Sequence, residues 1–176
     1  KRIVRPAELA SPTAQHVDAI VHALGVMKDD GCEPDILVVL LANNAITKTE
    51  WIRESIMNLI DNPGLSASCP VMLELDRHPY RSKRLREDGC LDTWFDFHGR
   101  QISTNRQDLP LNYVLCHNFW SLRLLNSIYG KEEGQAPWRF MGNYVKPVIV
   151  KESFDVHDMD DIYRTEKWLK SEGMFW

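Results

Sequence analysis

The residues best suited to chemistry lie close together near the C-terminus. Asp155 and His157 alternate with Val156, so an extended backbone would direct both side chains to the same side. A carboxylate and an imidazole at close range can hold one divalent cation. Asp158 and Asp161 support a second interpretation, in which acidic residues cap the helix that follows. The spacing alone leaves both interpretations open.

The elements around this segment would place it where ligands bind. An apolar run at 147–150 precedes it within a predicted strand at 145–150, and a run with helical periodicity at 162–169 follows within a predicted helix at 159–171. We therefore predict a strand, then the acidic segment, then a helix. The carboxyl ends of strands are where open α/β sheets bind ligands.

Other runs along the chain predict an α/β fold. The run 35–41 is apolar on both faces, which is typical of a strand in a parallel sheet. The alternation of elements predicts a mostly parallel sheet flanked by helices, with an antiparallel arm. Periodicity predicts helices at 14–28, 47–60 and 120–129 and strands at 67–75 and 112–120.

Two local patterns add detail. Thr47 and Glu50 have the spacing of a capping box at the start of a helix. Residues 94–97 and 101–103 flank His98-Gly99-Arg100, and we predict a β-hairpin there.

Composition excludes several classes of protein. The 176 residues carry a net charge of −4 with no long run of one sign, which argues against nucleic-acid binding. The apolar runs are too short to span a membrane. The length suits one domain, 1–176. Four cysteines are widely spaced without a CxxC pair, as expected for reduced thiols of a cytoplasmic protein.

Four segments, in order, resemble the acylneuraminate cytidylyltransferase family, the CMP-sugar-acid synthetases. Arg5-Pro6-Ala7-Glu8-Leu9-Ala10 is similar to the RPxELA stretch of that family. Residues 40–49 stand at the position of its LLQPTSPLRT stretch. Residues 105–110 with Tyr113 resemble its RQDLPxxY element, and 154–166 resembles its FDIDxxxDxxxAE ending.

The resemblance implies a Rossmann-like nucleotidyltransferase fold in a single cytidylyltransferase-like domain. It implies that CMP is transferred from CTP to an acidic sugar similar to sialic acid, with release of pyrophosphate, for activated-sugar synthesis. Mg²⁺ would be the cofactor, with Mn²⁺ as the alternative. Residues 77–112 would form an inserted β-rich dimerisation arm, so the protein would be a homodimer.

The family begins with a strand and a Gly/Arg/Ser/Lys-rich loop that binds the nucleotide phosphates. The sequence contains no such segment. By analogy with a Rossmann-like first half, we expect about 60 residues ahead of Lys1.

The resemblance assigns catalytic residues. Asp155 matches the first Asp of the DxD pair and is the expected metal ligand. His157 stands at the second Asp, as a metal ligand or a sugar contact. Arg106 would contact the triphosphate or the sugar carboxylate, with Gln107 as polar support. The alternative for Arg106 is a surface ion pair with Asp108.

Further contacts are implied for the nucleotide and the sugar. Arg5 would lie near the cytosine, and Ala14 would offer its backbone to the base. Asn43 and Asn44 would bind ribose or sugar, or else serve only as turn residues. The remaining expected substrate contacts are the imidazoles of His78 and His117.

Cys116 and His117 are adjacent in the sequence, and their types are those of a catalytic nucleophile and its general base. Adjacent residues on a strand point to opposite faces, so we do not expect such a dyad. Two other functions remain: a catalytically weakened homologue that binds nucleotides or sugar nucleotides, and a metal-dependent phosphohydrolase built on Asp155 and His157.

Overall fold

A computed structural model of the protein describes residues 1–174, which contain both α-helices and β-strands, as an α/β fold requires. The helices are His16–Asp29 (α1), Thr49–Asp61 (α2) and Met159–Ser171 (α3). The strands are Ile36–Leu40 (β1), Ala67–Leu73 (β2), Lys83–Leu85 (β3), Leu91–Thr93 (β4), Tyr113–Leu115 (β5), Phe119–Arg123 (β6) and Val145–Val150 (β7).

The chain divides into two compact units. The first comprises Lys1–Leu41, Thr47–Cys69 and Phe119–Pro147. The second comprises Ala42–Ile46, Pro70–Asn118 and the chain from Val148 onward. The strands β2 and β7 have residues in both units, and β7 pairs with β2.

In the first unit, β6 pairs with β1 and with the start of β2. Ile36 lies opposite Arg123, and Ala67 lies opposite Leu122, in antiparallel register. Because β6 has a neighbour on both sides, its residues Phe119, Trp120 and Leu122 are buried. The inward face of α2 is likewise buried, at Ser55 and Leu59.

In the second unit, the end of β2 pairs with β5, and β3 forms a hairpin with β4. Val71 lies opposite Leu115, and Leu85 lies opposite Leu91, both in antiparallel register. Helix α3 also belongs to this unit and begins at the N-cap residue Asp158.

The strand opposite β2 is interrupted between β5 and β6 by residues 116–118. Pro70 faces this interruption: its carbonyl accepts a hydrogen bond from Cys116 N at 2.9 Å, whereas proline has no N–H to give back. Asn118 lies in this interruption and is completely buried.

The α/β class is confirmed, but the mostly parallel sheet is not. The strand pairs of known register are all antiparallel: β1–β6, β2–β6, β2–β5 and β3–β4. Within this run, the first four residues of β1 are half-buried and the fifth, Leu40, is exposed. An apolar run therefore did not distinguish a parallel from an antiparallel neighbour.

Three local predictions were wrong. The helix at 120–129 is β6 followed by turns, because a fully buried strand shows no polar face to separate it from a buried helix. The hairpin lies at β3–β4, whereas Phe95 and Phe97 pack against Tyr80 instead of pairing. Helix α2 begins after Lys48 without a side-chain cap, so Thr47 forms no capping box.

Within residues 1–174, no helix combines the length and the apolar character that crossing a membrane requires.

Candidate functional site

A buried asparagine, Asn44, lies at the centre of the candidate site. It follows β1 along the chain and is 6% exposed. Its Nδ2 donates to Asp155 Oδ1 at 3.0 Å and to Ser153 Oγ at 2.9 Å. Its Oδ1 accepts from Ile46 N at 3.3 Å and from Asn118 Nδ2 at 2.8 Å. The amide therefore makes the four hydrogen bonds of which it is capable.

Three side chains close a ring of hydrogen bonds in the second unit. Asn44 donates to Ser153, Ser153 Oγ donates to Asn118 Oδ1 at 3.0 Å, and Asn118 donates back to Asn44. Each member gives and receives one bond within the ring, so the direction of each amide is determined. We call Asn44, Asn118 and Ser153 the amide ring.

Asp155 is attached to the amide ring through one carboxylate oxygen, Oδ1. The backbone beside it is also fixed, because Val156 N donates to Asn43 O at 2.8 Å. The structure therefore brings together Asp155, Asn43 and Asn44, which are three of the residues that the sequence nominated. Asp155 itself is half-buried.

The donor set suits a cation that arrives with a substrate. Among residues 1–174, no three His, Cys, Asp or Glu side chains are placed to hold a metal by themselves. Mg²⁺ in nucleotide enzymes is typically held by one or two carboxylates together with substrate phosphates. Asp155 fits that role because the amide ring engages only its Oδ1.

The second interpretation of the acidic segment is confirmed for its helix-capping residues. Asp158 Oδ1 accepts from Asp161 N at 3.0 Å and caps α3. Asp161 Oδ2 in turn accepts from His157 N at 3.1 Å. The backbone of His157 is thus held at the helix start, and the residue is exposed. Its role as a metal ligand stays a prediction.

Cys116 lies beside the amide ring, and its surroundings keep the thiol protonated. Burial raises the pKa of Cys116 to about 11, against the opposing effect of a contact with Ser153, and the charge of Asp155 adds to the rise. The residue lies in the interruption between β5 and β6, not on a strand as we expected. Because the thiolate is the reactive form, this environment disfavours Cys116 as a nucleophile.

We expect Cys116 to resist alkylation by a maleimide at pH 8, while the exposed Cys32 and Cys90 react. The folded state holds the Cys116 proton more tightly than the unfolded chain does. That contribution to stability is complete below about pH 9 and is lost as the pH rises toward about 11. Timed alkylation with peptide mapping measures each thiol, and rapid labelling of Cys116 at pH 8 would contradict the assignment.

Arg106 is exposed and pairs with Asp76. The distance from its Nη1 to Asp76 Oδ1 is 2.6 Å. The ion pair with Asp108 that we considered does not form, because Asp108 Oδ2 accepts from Ser103 and Asn105 instead. Exposed ion pairs contribute little to stability, so Arg106 can leave Asp76 and bind an anionic ligand instead.

His78 has both ring nitrogens engaged within the second unit. Its Nδ1 accepts from Tyr80 N at 3.1 Å, which leaves Nε2 to donate to Pro110 O, also at 3.1 Å. The side chain is buried. This arrangement links the two ends of the 77–112 segment, and it favours a structural role over the predicted substrate contact.

The remaining predicted residues lie at several places. Arg5 is exposed and Ala14 is half-buried, both in the first unit, and Ala14 N donates to Ser11 O at 3.2 Å. Gln107 is exposed in a short 3-10 helix, Arg106–Asp108. His117 is half-buried between β5 and β6. Within the described chain, Arg106 and His78 make no hydrogen bond to the amide ring.

Sequence reasoning missed two members of the ring, Asn118 and Ser153. Ser153 opens the acidic segment, but its type suggested only a loop. Asn118 stands between the apolar residues of β5 and β6, and that position was a usable signal. A polar side chain inside an apolar run is usually buried with hydrogen-bond partners.

Comparisons with known proteins identify the fold. No family model matches the chain, and no curated protein matches it. A solved structure of a CMP:2-keto-3-deoxy-manno-octonic acid synthetase complexed with CTP aligns with 92% of this chain and 70% of that chain. The TM-score is 0.54 at 12% sequence identity. The likeness shows the α/β fold alone, and membership of the acylneuraminate cytidylyltransferase family stays a prediction.

Proposed function

We propose that the protein transfers CMP from CTP to an acidic sugar similar to sialic acid, with release of pyrophosphate. The observation that carries the proposal concerns Asp155, which lies within the segment 154–166. Its carboxylate accepts a hydrogen bond from the buried side-chain amide of Asn44. The fold supports it, since a synthetase complexed with CTP aligns with most of the chain.

In the proposed reaction the anomeric hydroxyl of the sugar attacks the α-phosphorus of CTP in line. A new oxygen–phosphorus bond forms as the bond to pyrophosphate breaks, and the hydroxyl proton passes to solvent water. Such transfers depend mainly on positioning and on charge stabilisation. Asp155 would hold Mg²⁺, with His157 as a second ligand or a sugar contact. Bound Mg²⁺ offsets polyphosphate charge and polarises the phosphoryl oxygen.

Arg106 would bind the triphosphate or the sugar carboxylate through its bidentate guanidinium. It would exchange Asp76 for the substrate, and both side chains are exposed enough to do so. Gln107, its neighbour in the 3-10 helix, would add a polar contact.

For the nucleotide, Arg5 and the backbone of Ala14 would contact the cytosine. Asn43 has an exposed side chain that is available for ribose or sugar. The side-chain amide of Asn44, in contrast, is saturated by contacts within the chain.

We also propose a homodimer that uses the segment 77–112. In its hairpin, Leu85 and Leu91 lie opposite each other and are 72% and 68% exposed. Trp94, which directly follows β4 in the sequence, is 58% exposed. Adjacent exposed apolar side chains of this kind mark protein–protein interfaces.

Lysine at both positions, Leu85→Lys with Leu91→Lys, is expected to convert the dimer to a monomer, because it places charges in the apolar contact. Sedimentation velocity measures the change. Leu125→Lys is the matched control, since Leu125 is 75% exposed but belongs to the first unit. A dimer that persists in the double variant, or a wild-type monomer, would contradict the proposed interface.

A second candidate is a homologue that binds nucleotides or sugar nucleotides without chemistry. One observation favours it: both ring nitrogens of His78 are engaged by backbone groups, so the predicted substrate contact through that imidazole is not open. A phosphohydrolase built on Asp155 and His157 has no observation in its own favour among residues 1–174, since the contact given for His157 is through its backbone N.

The experiment that separates the candidates incubates the protein with CTP, Mg²⁺ and a panel of sugar acids. The panel holds sialic, legionaminic, pseudaminic and 2-keto-3-deoxy-octonic acids, and mass spectrometry detects the CMP-sugar. Formation of one CMP-sugar with pyrophosphate is expected. CTP binding in calorimetry without any product would favour the binding homologue, and phosphate release without sugar would favour the hydrolase.

A further inference from the structure

We propose that Asn118 and Ser153 are positioning residues for the carboxylate of Asp155. They act through Asn44: by fixing the direction of its amide, they hold Oδ1 of Asp155 in place and leave Oδ2 directed to a divalent cation. This inference rests on the proposed function in one respect, namely that Asp155 is the carboxylate that faces the cation.

The first step of the argument is the direction of the Asn44 amide. An asparagine side chain can be turned so that its oxygen and nitrogen exchange places. In this structure Ile46 N donates to Oδ1, so the oxygen side is fixed by the backbone. Asn118 Nδ2 donates to the same oxygen. A turned amide would place its NH₂ group against both donors, and that orientation is therefore excluded.

The second step is the use of the two N–H groups of Asn44. One is taken by Ser153 Oγ at 2.9 Å. The hydroxyl accepts this bond because its own proton is directed to Asn118 Oδ1. The other N–H is then left for Asp155 Oδ1 at 3.0 Å. Without Ser153 or Asn118, the Asn44 amide keeps the bond from Ile46 N but loses one of the contacts that limit its movement, so it holds the carboxylate less firmly.

The third step is burial. Asn118 is completely buried and Asn44 nearly so. Buried polar groups are costly unless hydrogen-bonded, and a ring that satisfies its own members resists change. Asp155 is only half-buried. The buried amide ring thus supports an accessible carboxylate. Groups that hydrogen-bond to metal ligands commonly orient those ligands in this way.

The test measures Mn²⁺ affinity, with Mn²⁺ and CTP as probes, by water-proton relaxation. Ser153→Ala and Asn118→Ala are each expected to weaken Mn²⁺ binding in the presence of CTP by about tenfold or more. Ser153→Thr keeps the hydroxyl and is expected to restore wild-type affinity. Asp155→Asn should lose the site, and adding Ser153→Ala to it should change nothing further.

The matched control is Ser55→Ala. Ser55 Oγ lies 2.7 Å from Ser121 Oγ, and both residues are completely buried in the first unit. Its removal costs a comparable buried hydrogen bond without touching the amide ring. We expect Ser55→Ala and Ser153→Ala to lower the melting temperature similarly, while only Ser153→Ala weakens Mn²⁺ binding.

The outcomes distinguish a failure of the positioning role of Asn118 and Ser153 from a failure of the proposed cation site at Asp155. Unchanged Mn²⁺ affinity in Asp155→Asn would overturn the proposed cation site, and with it the positioning role. Lost affinity in Asp155→Asn, with Ser153→Ala and Asn118→Ala matching Ser55→Ala, would overturn the positioning role alone. If the alanine variants do not fold, the wild-type side-chain amide signals of Asn44 and Asn118 decide in NMR. Titration with Mg²⁺ and CTP should shift both signals, and unshifted signals would overturn the proposal.

Discussion

Replacing Asp155 with asparagine is expected to lower kcat/KM for CMP-sugar formation by about two orders of magnitude or more. Removing one group that stabilises developing charge typically has an effect of this size. Asparagine keeps the shape of the side chain and an oxygen that can accept from Asn44, so the fold should be retained. Steady-state kinetics at several Mg²⁺ concentrations measure the loss, and circular dichroism checks the fold.

Asp160→Asn is the matched control. Asp160 belongs to the same acidic segment and is exposed. Its replacement by asparagine changes the net charge by the same amount as Asp155→Asn. Its replacement should leave kcat/KM within about twofold, as expected for surface substitutions away from special features. Equal losses in the two variants would mean that the charge of the segment matters, not a ligand at position 155.

Replacing Gly142 with alanine is expected to destabilise the protein by about 3 kcal/mol. Gly142 has φ +76° and ψ −162°, a backbone region that essentially only glycine occupies. An added Cβ would lie 2.6 Å from the backbone oxygen of Asn126 and 2.6 Å from Cβ of Ser66. The backbone of Asn126 cannot move freely, because the Asn126 side chain donates to Pro63 O and Leu65 O.

Two further glycines separate the contributions to this loss. Gly31 also has a positive φ, +79°, but a Cβ there would meet nothing within 4 Å, so Gly31→Ala should cost about 1 kcal/mol. Gly64 has neither feature, and Gly64→Ala should change stability by less than about 0.5 kcal/mol. Urea unfolding of the three variants gives the order. A Gly142→Ala variant no less stable than Gly31→Ala would refute the close packing.

Elements with strong periodicity were predictable from the sequence. The strand Val145–Val150 and the helix Met159–Ser171 lie where their patterns placed them, since amphipathic spacing and a capping aspartate are local signals. The start of α1 at His16 lies two residues from the predicted start. His98 and Gly99 both have positive φ, although the hairpin predicted around them does not form.

The strand partners were not predictable, because pairing joins segments far apart in the chain. An apolar run fits a parallel or an antiparallel neighbour equally well, so β1 gave no warning that its partner is the antiparallel β6. The aromatic residues 94–97 had a strand-like pattern, yet Phe95 and Phe97 pack on Tyr80 instead of forming a strand.

For the candidate site, the sequence by itself determined which functional groups are present: a carboxylate at Asp155, amides at Asn43 and Asn44, and a helix cap at Asp158. These follow from residue type and local order. Only the tertiary structure decided which of them meet. Asn44, Asn118 and Ser153 come from three distant segments, and a hydrogen bond between distant residues requires the chain to fold first. Asn118 lies in the interruption between β5 and β6, and that irregularity in strand pairing has no periodic signature in the sequence.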